Sequence, residues 1–228
     1  MRRIMVLGDS GSIAAGVTKV VDASVRQLED GLNAMVHNFS YGGATVADLH
    51  TAGVGILPGM FRQVSAVRQL QLVFGLDCVV ITLGSNDWGF GVPLLHFRNA
   101  YSELLDGIKQ FAPHSIAKVI CVTPPWRSEE NAPNQNGETL DAFRETIVAL
   151  ATDRGLPVIR SERAIPRDSR YYFDEAHPNE VGHRLLANFL IAQLRSLLNI
   201  TPEPQPPQGY LWRYRFLAKV WNVLRYRR

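Results

Sequence analysis

At 228 residues, with 46% apolar and 20% charged side chains, the chain is long enough for one sizeable core. Its make-up excludes a disordered, fibrous or low-complexity polypeptide. The net charge of +3 is unevenly placed: residues 201–228 hold six Lys/Arg and one Glu, which leaves 18 basic against 20 acidic residues in the rest. The basicity belongs to the tail, so the body of the chain offers no basic face and no nucleic-acid partner is expected.

Met1-Arg2-Arg3 is followed by only four apolar residues, Ile4 to Leu7, before Gly8-Asp9. That run is too short for a signal-peptide core, and no 18-residue apolar run occurs elsewhere, so the expected location is cytoplasmic. Ile4–Leu7 reads instead as a first strand. Met35–Phe39, Cys78–Leu83, Lys118–Thr123 and Pro157–Ile159 read as four more, with helical stretches between them. Runs apolar on both faces and separated by helices predict a parallel sheet covered on both sides. Cys78 and Cys121 lie within such runs and are expected to be reduced, acting as small buried hydrophobes.

The clearest helix runs from Glu180 to Leu198, where Leu185, Leu186, Phe189, Leu190, Leu194 and Leu197 recur at helical spacing. It is expected to close a domain of residues 1–200. Residues 201–209 contain four prolines and read as an extended linker. Residues 210–228 form a separate basic, aromatic tail. On a helical wheel Tyr210, Tyr214, Leu217, Trp221 and Leu224 share one face, while Trp212, Phe216 and Val223 fall opposite. Two readings stay open for this tail: docking on its own domain or a second subunit, and contact with a membrane surface.

Four short segments carry chemistry. Gly8-Asp9-Ser10-Gly11-Ser12 follows the first strand directly. At the carboxyl end of a parallel strand, a helix N-terminus offers unpaired N–H groups to an anion, so a Ser there combines a nucleophile with an oxyanion donor. Two rivals use the same letters. Chymotrypsin-like proteases place their Ser after the His and Asp, on β-barrels, whereas here Ser comes first. Gly16-Val17-Thr18-Lys19 lacks the Gly-Lys-Ser/Thr ending of a phosphate loop. The plainer alternative is a helix-capping serine, a role that suits Ser12.

Near the other end lies Asp174-Glu175-Ala176-His177-Pro178-Asn179. A carboxylate three residues before a His reaches the imidazole Nδ1 from the same loop, fixing its tautomer; Pro178 is expected to start the last helix, and His183 to be structural. Gly42-Gly43 after the second strand and Gly84-Ser85-Asn86-Asp87 after the third fall at the same sheet edge. An unobstructed glycine N–H and a neutral Asn amide both suit an oxyanion hole, although each segment alone is ordinary turn chemistry.

Taken together, the segments resemble the SGNH (GDSL-type) hydrolase family, named for its Ser, Gly, Asn and His. Gly8-Asp9-Ser10, Asn38–Thr45, Gly84–Asp87 and Asp174–Pro178 match its four blocks in family order, and the match covers residues 3–198. The resemblance implies a flavodoxin-like α/β/α sandwich with about five parallel strands in order 2-1-3-4-5. It implies Ser10 as nucleophile, His177 as base and then acid, and Asp174 as its orienting partner. The oxyanion hole would be the Ser10 and Gly43 N–H groups with the Asn86 side chain, Gly43 being preferred to Gly42 by its distance from Asn38. No metal or organic cofactor is required. Gly11 departs from the family, which usually has an apolar residue there, so the turn is expected to be more open.

The expected activity is hydrolysis of a small-molecule ester through an acyl-enzyme. The connections after the third and fourth strands offer Trp88, Phe90, Trp126 and Arg127 as substrate-binding residues. Aromatic faces beside polar groups suit a sugar ring, which favours a short acyl, such as acetyl, on a carbohydrate. A lipid-directed esterase, lysophospholipase or thioesterase is the second reading, with the tail as membrane anchor. A binding module that keeps the fold without turnover is the third, and the complete set of Ser10, His177, Asp174 and Asn86 argues against it.

Overall fold

The computed structural model describes residues 1–49, 64–69, 75–111, 118–128 and 132–201. Five strands, β1 (Arg2–Gly8), β2 (Ala34–Asn38), β3 (Cys78–Thr82), β4 (Lys118–Val122) and β5 (Val158–Ile159), form one parallel sheet in the order β2-β1-β3-β4-β5. The expected sheet, order and parallel sense are therefore present. Strand ends differ by a residue or two from the expected ones, because pairs such as Arg2 with Ala34 and Gly8 with Thr82 are backbone contacts that apolar side-chain runs do not reveal.

Alternation along β1 shows how the two layers arise. Ile4, Met5, Val6 and Leu7 are all fully buried, but successive side chains point to opposite faces. Met5 and Leu7 pack with α4 (Leu94–Phe111) and α5 (Leu140–Thr152) through Tyr101, Leu104, Phe143 and Ile147. Ile4 and Val6 pack on the other face with α2 (Ser24–Leu32) and α6 (Glu180–Leu198) through Val25, Leu28, Leu186, Leu190 and Leu194. The helix expected over Glu180–Leu198 thus has the expected bounds and buries its leucine stripe. Two four- and five-residue helices, α1 (Ser10–Ile13) and α3 (Ser85–Gly89), follow β1 and β3 directly.

One expectation changes: Pro178 does not start α6. Asn179 is its N-cap, with Oδ1 accepting from the N–H groups of Val181 (3.0 Å) and Gly182 (3.2 Å), while Pro178 pairs with Tyr172 in an isolated bridge. An Asn cap satisfies two of the four N–H groups that a helix start leaves unpaired, which proline cannot do. Cys78 and Cys121 are free and buried, and burial pushes their thiols up to about 12 and about 11. Among the described residues no helix is long and apolar enough to cross a membrane. The linker and tail expected over 201–228 lie, but for Thr201, outside the described residues.

His183 ties the layers together where the site is built. It is fully buried; its Nδ1 accepts from the Ser24 N–H (3.1 Å) and its Nε2–H donates to the Ala15 carbonyl (2.9 Å). That pairing requires the neutral imidazole, and burial holds its pKa below the ordinary histidine range. A folded-state pKa below the unfolded one means that His183 stabilises the fold above the unfolded value and that this contribution is lost as pH falls. His183→Ala leaves a buried N–H and a buried carbonyl unpaired, at about 1–3 kcal/mol each. The expected result is a lower Tm at pH 7.5 and a smaller loss of Tm between pH 7.5 and pH 5 than in the parent, read by thermal unfolding at both values.

Candidate active site

Because all five strands are parallel, their carboxyl ends share one edge, where open α/β sheets bind ligands. Ser10 after β1, Gly43 after β2, Asn86 after β3, Pro125 and Arg127 after β4, and His177 before α6 line a single cleft of about 330 Å³.

Ser10 is the first residue of α1. Asp9 is the N-cap, its carboxylate accepting from the Gly11 N–H at 3.0 Å, so the cap is Asp9 and not Ser12. Ser12 is turned inward, 6% exposed, with Oγ 2.8 Å from Thr82 Oγ1. Ser10 Oγ lies instead 2.8 Å from His177 Nε2, across 167 positions of sequence. His177 Nδ1 lies 2.8 Å from Asp174 Oδ2 and 3.0 Å from Oδ1. An imidazole that donates from Nδ1 to a carboxylate leaves Nε2 as the acceptor, so the Ser10 hydroxyl donates to it.

Asp174 is held by its own loop: Oδ1 also accepts from the N–H groups of Ala176 (2.8 Å) and His177 (2.7 Å). Burial raises its pKa, but the hydrogen bonds from His177 and from these two N–H groups outweigh that and keep the carboxyl below its ordinary range. Around it, Phe173 N–H donates to the His177 carbonyl (2.8 Å), and the Asn179 amide donates to the Arg170 carbonyl (2.8 Å). Gly16, at φ +90°, lets the chain after α1 lie against this loop; a Cβ there would stand 2.2 Å from the Pro178 carbonyl oxygen.

The residues expected as oxyanion donors, Ser10, Gly43 and Asn86, all line the cleft. Gly43 adopts φ +73°, a left-handed turn natural to glycine, and lines the cleft with Asn86. One Nδ2–H of Asn86 donates to the Ala44 carbonyl at 3.0 Å, which fixes the amide plane. Gly11 also lines the cleft; a Cβ there would meet only Asp9 Oδ1, at 3.4 Å, so the missing side chain leaves the turn open as expected.

Of the four expected substrate contacts, the structure brings two to the cleft. Phe90 is 40% exposed and lines it, as does Arg127, whose Nη1 donates to Ser85 Oγ at 3.1 Å. Trp88 is a core residue, 4% exposed, its indole N–H donating to the Glu138 carbonyl at 3.0 Å. The α3 turn directs this large apolar ring under the sheet edge, where Arg127 covers it 5.2 Å from the ring centroid. Trp126 packs edge-on against Tyr172, with ring centroids 5.0 Å apart, and takes no part in the cleft.

Two residues that shape the site have roles that sequence patterning does not show. Arg144, 1% exposed, donates to the Pro124 carbonyl (2.9 Å) and the Pro125 carbonyl (2.6 Å), holding the loop after β4 from inside α5. Asp87 is fully buried beside Asn86 and accepts from the N–H groups of Val46 and Ala47, at 3.0 and 2.9 Å. It therefore locks the loop bearing Gly43 to the turn bearing Asn86. The only available hint is the acidic residue that closes Gly84-Ser85-Asn86-Asp87.

Five parallel strands between two helical layers make the SGNH hydrolase fold, and the protein is a carboxylic ester hydrolase. The chain belongs to the GDSL-like Lipase/Acylhydrolase family, whose model matches residues 6–185. Solved structures share the fold. A carbohydrate acetylesterase family member from Sinorhizobium meliloti is 18% identical over 87% of this chain and 100% of its own, with a TM-score of 0.69. The psychrotrophic esterase EstA from Pseudoalteromonas sp. is 19% identical over 87% and 100%, at 0.68. The aryl esterase of M. smegmatis is 24% identical over 86% and 100%, also at 0.68. No curated protein matches the sequence.

Burial pushes the Asp87 carboxyl up to about 7, against the lowering by the Ala47 and Val46 N–H groups. A folded-state pKa above the unfolded value, about 3.9 for Asp, means that the unfolded chain releases the proton first as pH rises. Stability from this group is thus complete below about pH 4 and declines up to about pH 7. Asp87→Asn keeps an oxygen acceptor for both N–H groups and removes the titration. Chemical denaturation of parent and variant at pH 5 and pH 7.5 is expected to show a smaller fall in unfolding free energy for the variant. An equal fall in both would mean that Asp87 does not carry this proton.

Proposed function

We propose that the protein hydrolyses esters through a covalent acyl-enzyme on Ser10. The observation that carries this reading is the continuous chain from Ser10 Oγ through His177 to Asp174, with both links at 2.8 Å. His177 Nε2 takes the hydroxyl proton as Ser10 Oγ attacks the ester carbonyl. Asp174, ionised because its carboxyl lies below the ordinary range, stabilises the imidazolium. The oxyanion of the tetrahedral intermediate is received by the Ser10 and Gly43 N–H groups and the Asn86 amide. His177 returns the proton to the departing alcohol, then deprotonates the water that releases the acid and regenerates Ser10.

This reading favours turnover over a binding module, since a module would have no need of an aligned acid, base and hydroxyl. The sugar-directed reading draws its aromatic faces from Trp88, Phe90 and Trp126, and Trp88 and Trp126 do not line the cleft. With both outside the cleft, Phe90 and Arg127 remain to face the alcohol.

Ser10→Ala and His177→Ala are each expected to lower kcat by on the order of 10⁴-fold or more on p-nitrophenyl acetate, with unchanged circular dichroism. Ser12→Ala is expected to cost far less, because its hydroxyl only bridges to Thr82. The reverse ranking would assign the nucleophile to Ser12.

Asn86→Ala removes one oxyanion donor and is expected to lower kcat by ~10²- to 10³-fold with little change in KM. A raised KM at constant kcat would make Asn86 a ground-state binding residue instead.

A further inference from the structure

Ser10 stands on α1, a helix of only four residues. A single turn gains too few hydrogen bonds to hold itself. This one ends at Ala14 with φ 117°, a left-handed conformation that L residues rarely adopt, so its shape is imposed from outside. β3 contributes the Thr82 hydroxyl, 2.8 Å from Ser12 Oγ. β2 contributes Asn38, its last residue, whose Nδ2 donates to the Ser12 carbonyl at 2.9 Å. That carbonyl is one of those that a helix end leaves without a partner inside the helix.

The other side of the same amide faces the loop that carries Gly43. Asn38 Oδ1 accepts from the Ser40 N–H at 3.1 Å, and the next residue, Tyr41, donates its N–H to the Gly8 carbonyl at 3.3 Å. A carbonyl can only accept and an N–H can only donate. The two partners therefore need a side chain that offers one donor and one acceptor, as the Asn amide does and a carboxylate or an alkyl group does not. Asn38 thus bonds both segments whose backbone N–H groups, those of Ser10 and Gly43, are to receive the oxyanion. It does not itself line the cleft.

We infer that Asn38 is a positioning residue for the oxyanion hole: one amide sets the Ser10 turn and the Gly43 loop at the spacing at which their two N–H groups meet the same oxygen. This rests on the acyl-enzyme reading above. A misplacement of about 1 Å costs up to about 10²-fold in rate. The oxyanion exists only after attack, so the loss falls on kcat and not on KM. Asn38 is exposed, and substitutions at exposed side chains seldom unfold a protein, so the kinetic effect is readable in a folded enzyme.

The test uses the full chain. Asn38→Asp keeps the size of the side chain and the acceptor for Ser40 but turns a second oxygen on the Ser12 carbonyl; Asn38→Ala removes both bonds. Each is expected to lower kcat on p-nitrophenyl acetate by about 10- to 100-fold, with KM within about twofold of the parent. Here kcat is taken per serine that an ethyl fluorophosphonate labels at completion, read by intact mass. In Asn38→Ala, which adds no charge, the acid limb of kcat/KM reports the His177 base and is expected at the parent's pH. Either folded variant with the parent kcat overturns the inference, and so does a loss confined to KM or an acid limb that moves, which would place the fault in binding or in the triad. If one variant fails to fold, the other decides; failure of both, read by circular dichroism, makes Asn38 a determinant of the fold and overturns its role in positioning. A parent that takes up no fluorophosphonate sinks the acyl-enzyme reading and the inference with it, whereas a labelled parent with unaffected variants sinks the inference alone.

Discussion

A hydrogen bond of 2.8 Å joins Ser10 to His177 across 167 positions of sequence, and its tolerance is a few tenths of an ångström. Nothing local to either residue can set that distance. Ser10 is placed by β1, whose four central side chains are fully buried in two cores. His177 is placed by a loop anchored through Asn179 to the start of α6. The two are brought into register by α6 packing on α2 and on the sheet, by His183 reaching back to Ser24 and Ala15, and by the close passage of Gly16 against Pro178.

The same demand explains why hydrogen-bonding groups stand at the carboxyl edge of the sheet and apolar ones beneath it. Charged and hydrogen-bonding groups stand on short turns immediately after the strands, where the backbone is rigid. Below them the helices present leucine and valine to the sheet. Asp87 and Arg144 lie between these regimes. Each is a buried ionisable side chain that bonds backbone groups of a neighbouring loop, and such groups are stable only while those partners hold their positions. Rigidity of the loops after β2 and β4 is thereby written into two side chains that never face solvent.

Much of this was legible before the structure. A parallel sheet covered on both sides follows from runs apolar on both faces, while the strand order and the reading of the Ser10, Asn86 and His177 segments as one site came only from their joint resemblance to a family. The substrate walls were not legible. Trp88 and Trp126 have the composition of a sugar platform, but whether an aromatic ring enters the cleft or the core is set by one turn of α3 and by Tyr172, which lies 46 positions beyond Trp126. Leu186 and Leu190 were visible only as part of the apolar stripe of the last helix. Periodicity shows which face turns inward; it does not show which residues of that face line the cleft.

Placing β1 in the middle of the sheet has a consequence for biosynthesis. Of the strands of this sheet, β1 is made first; one neighbour, β2, is complete by Asn38, while its other, β3, is made only from Cys78 onward. Until then one edge of an apolar strand is open, and early strand pairs with an open edge are the species that aggregate or recruit chaperones. The residue that faces Ser10 arrives last, within the final quarter of the chain. A nascent or prematurely ended polypeptide therefore carries the Ser10 hydroxyl without the imidazole that bonds it, and the cleft is complete only once nearly the whole domain has been translated.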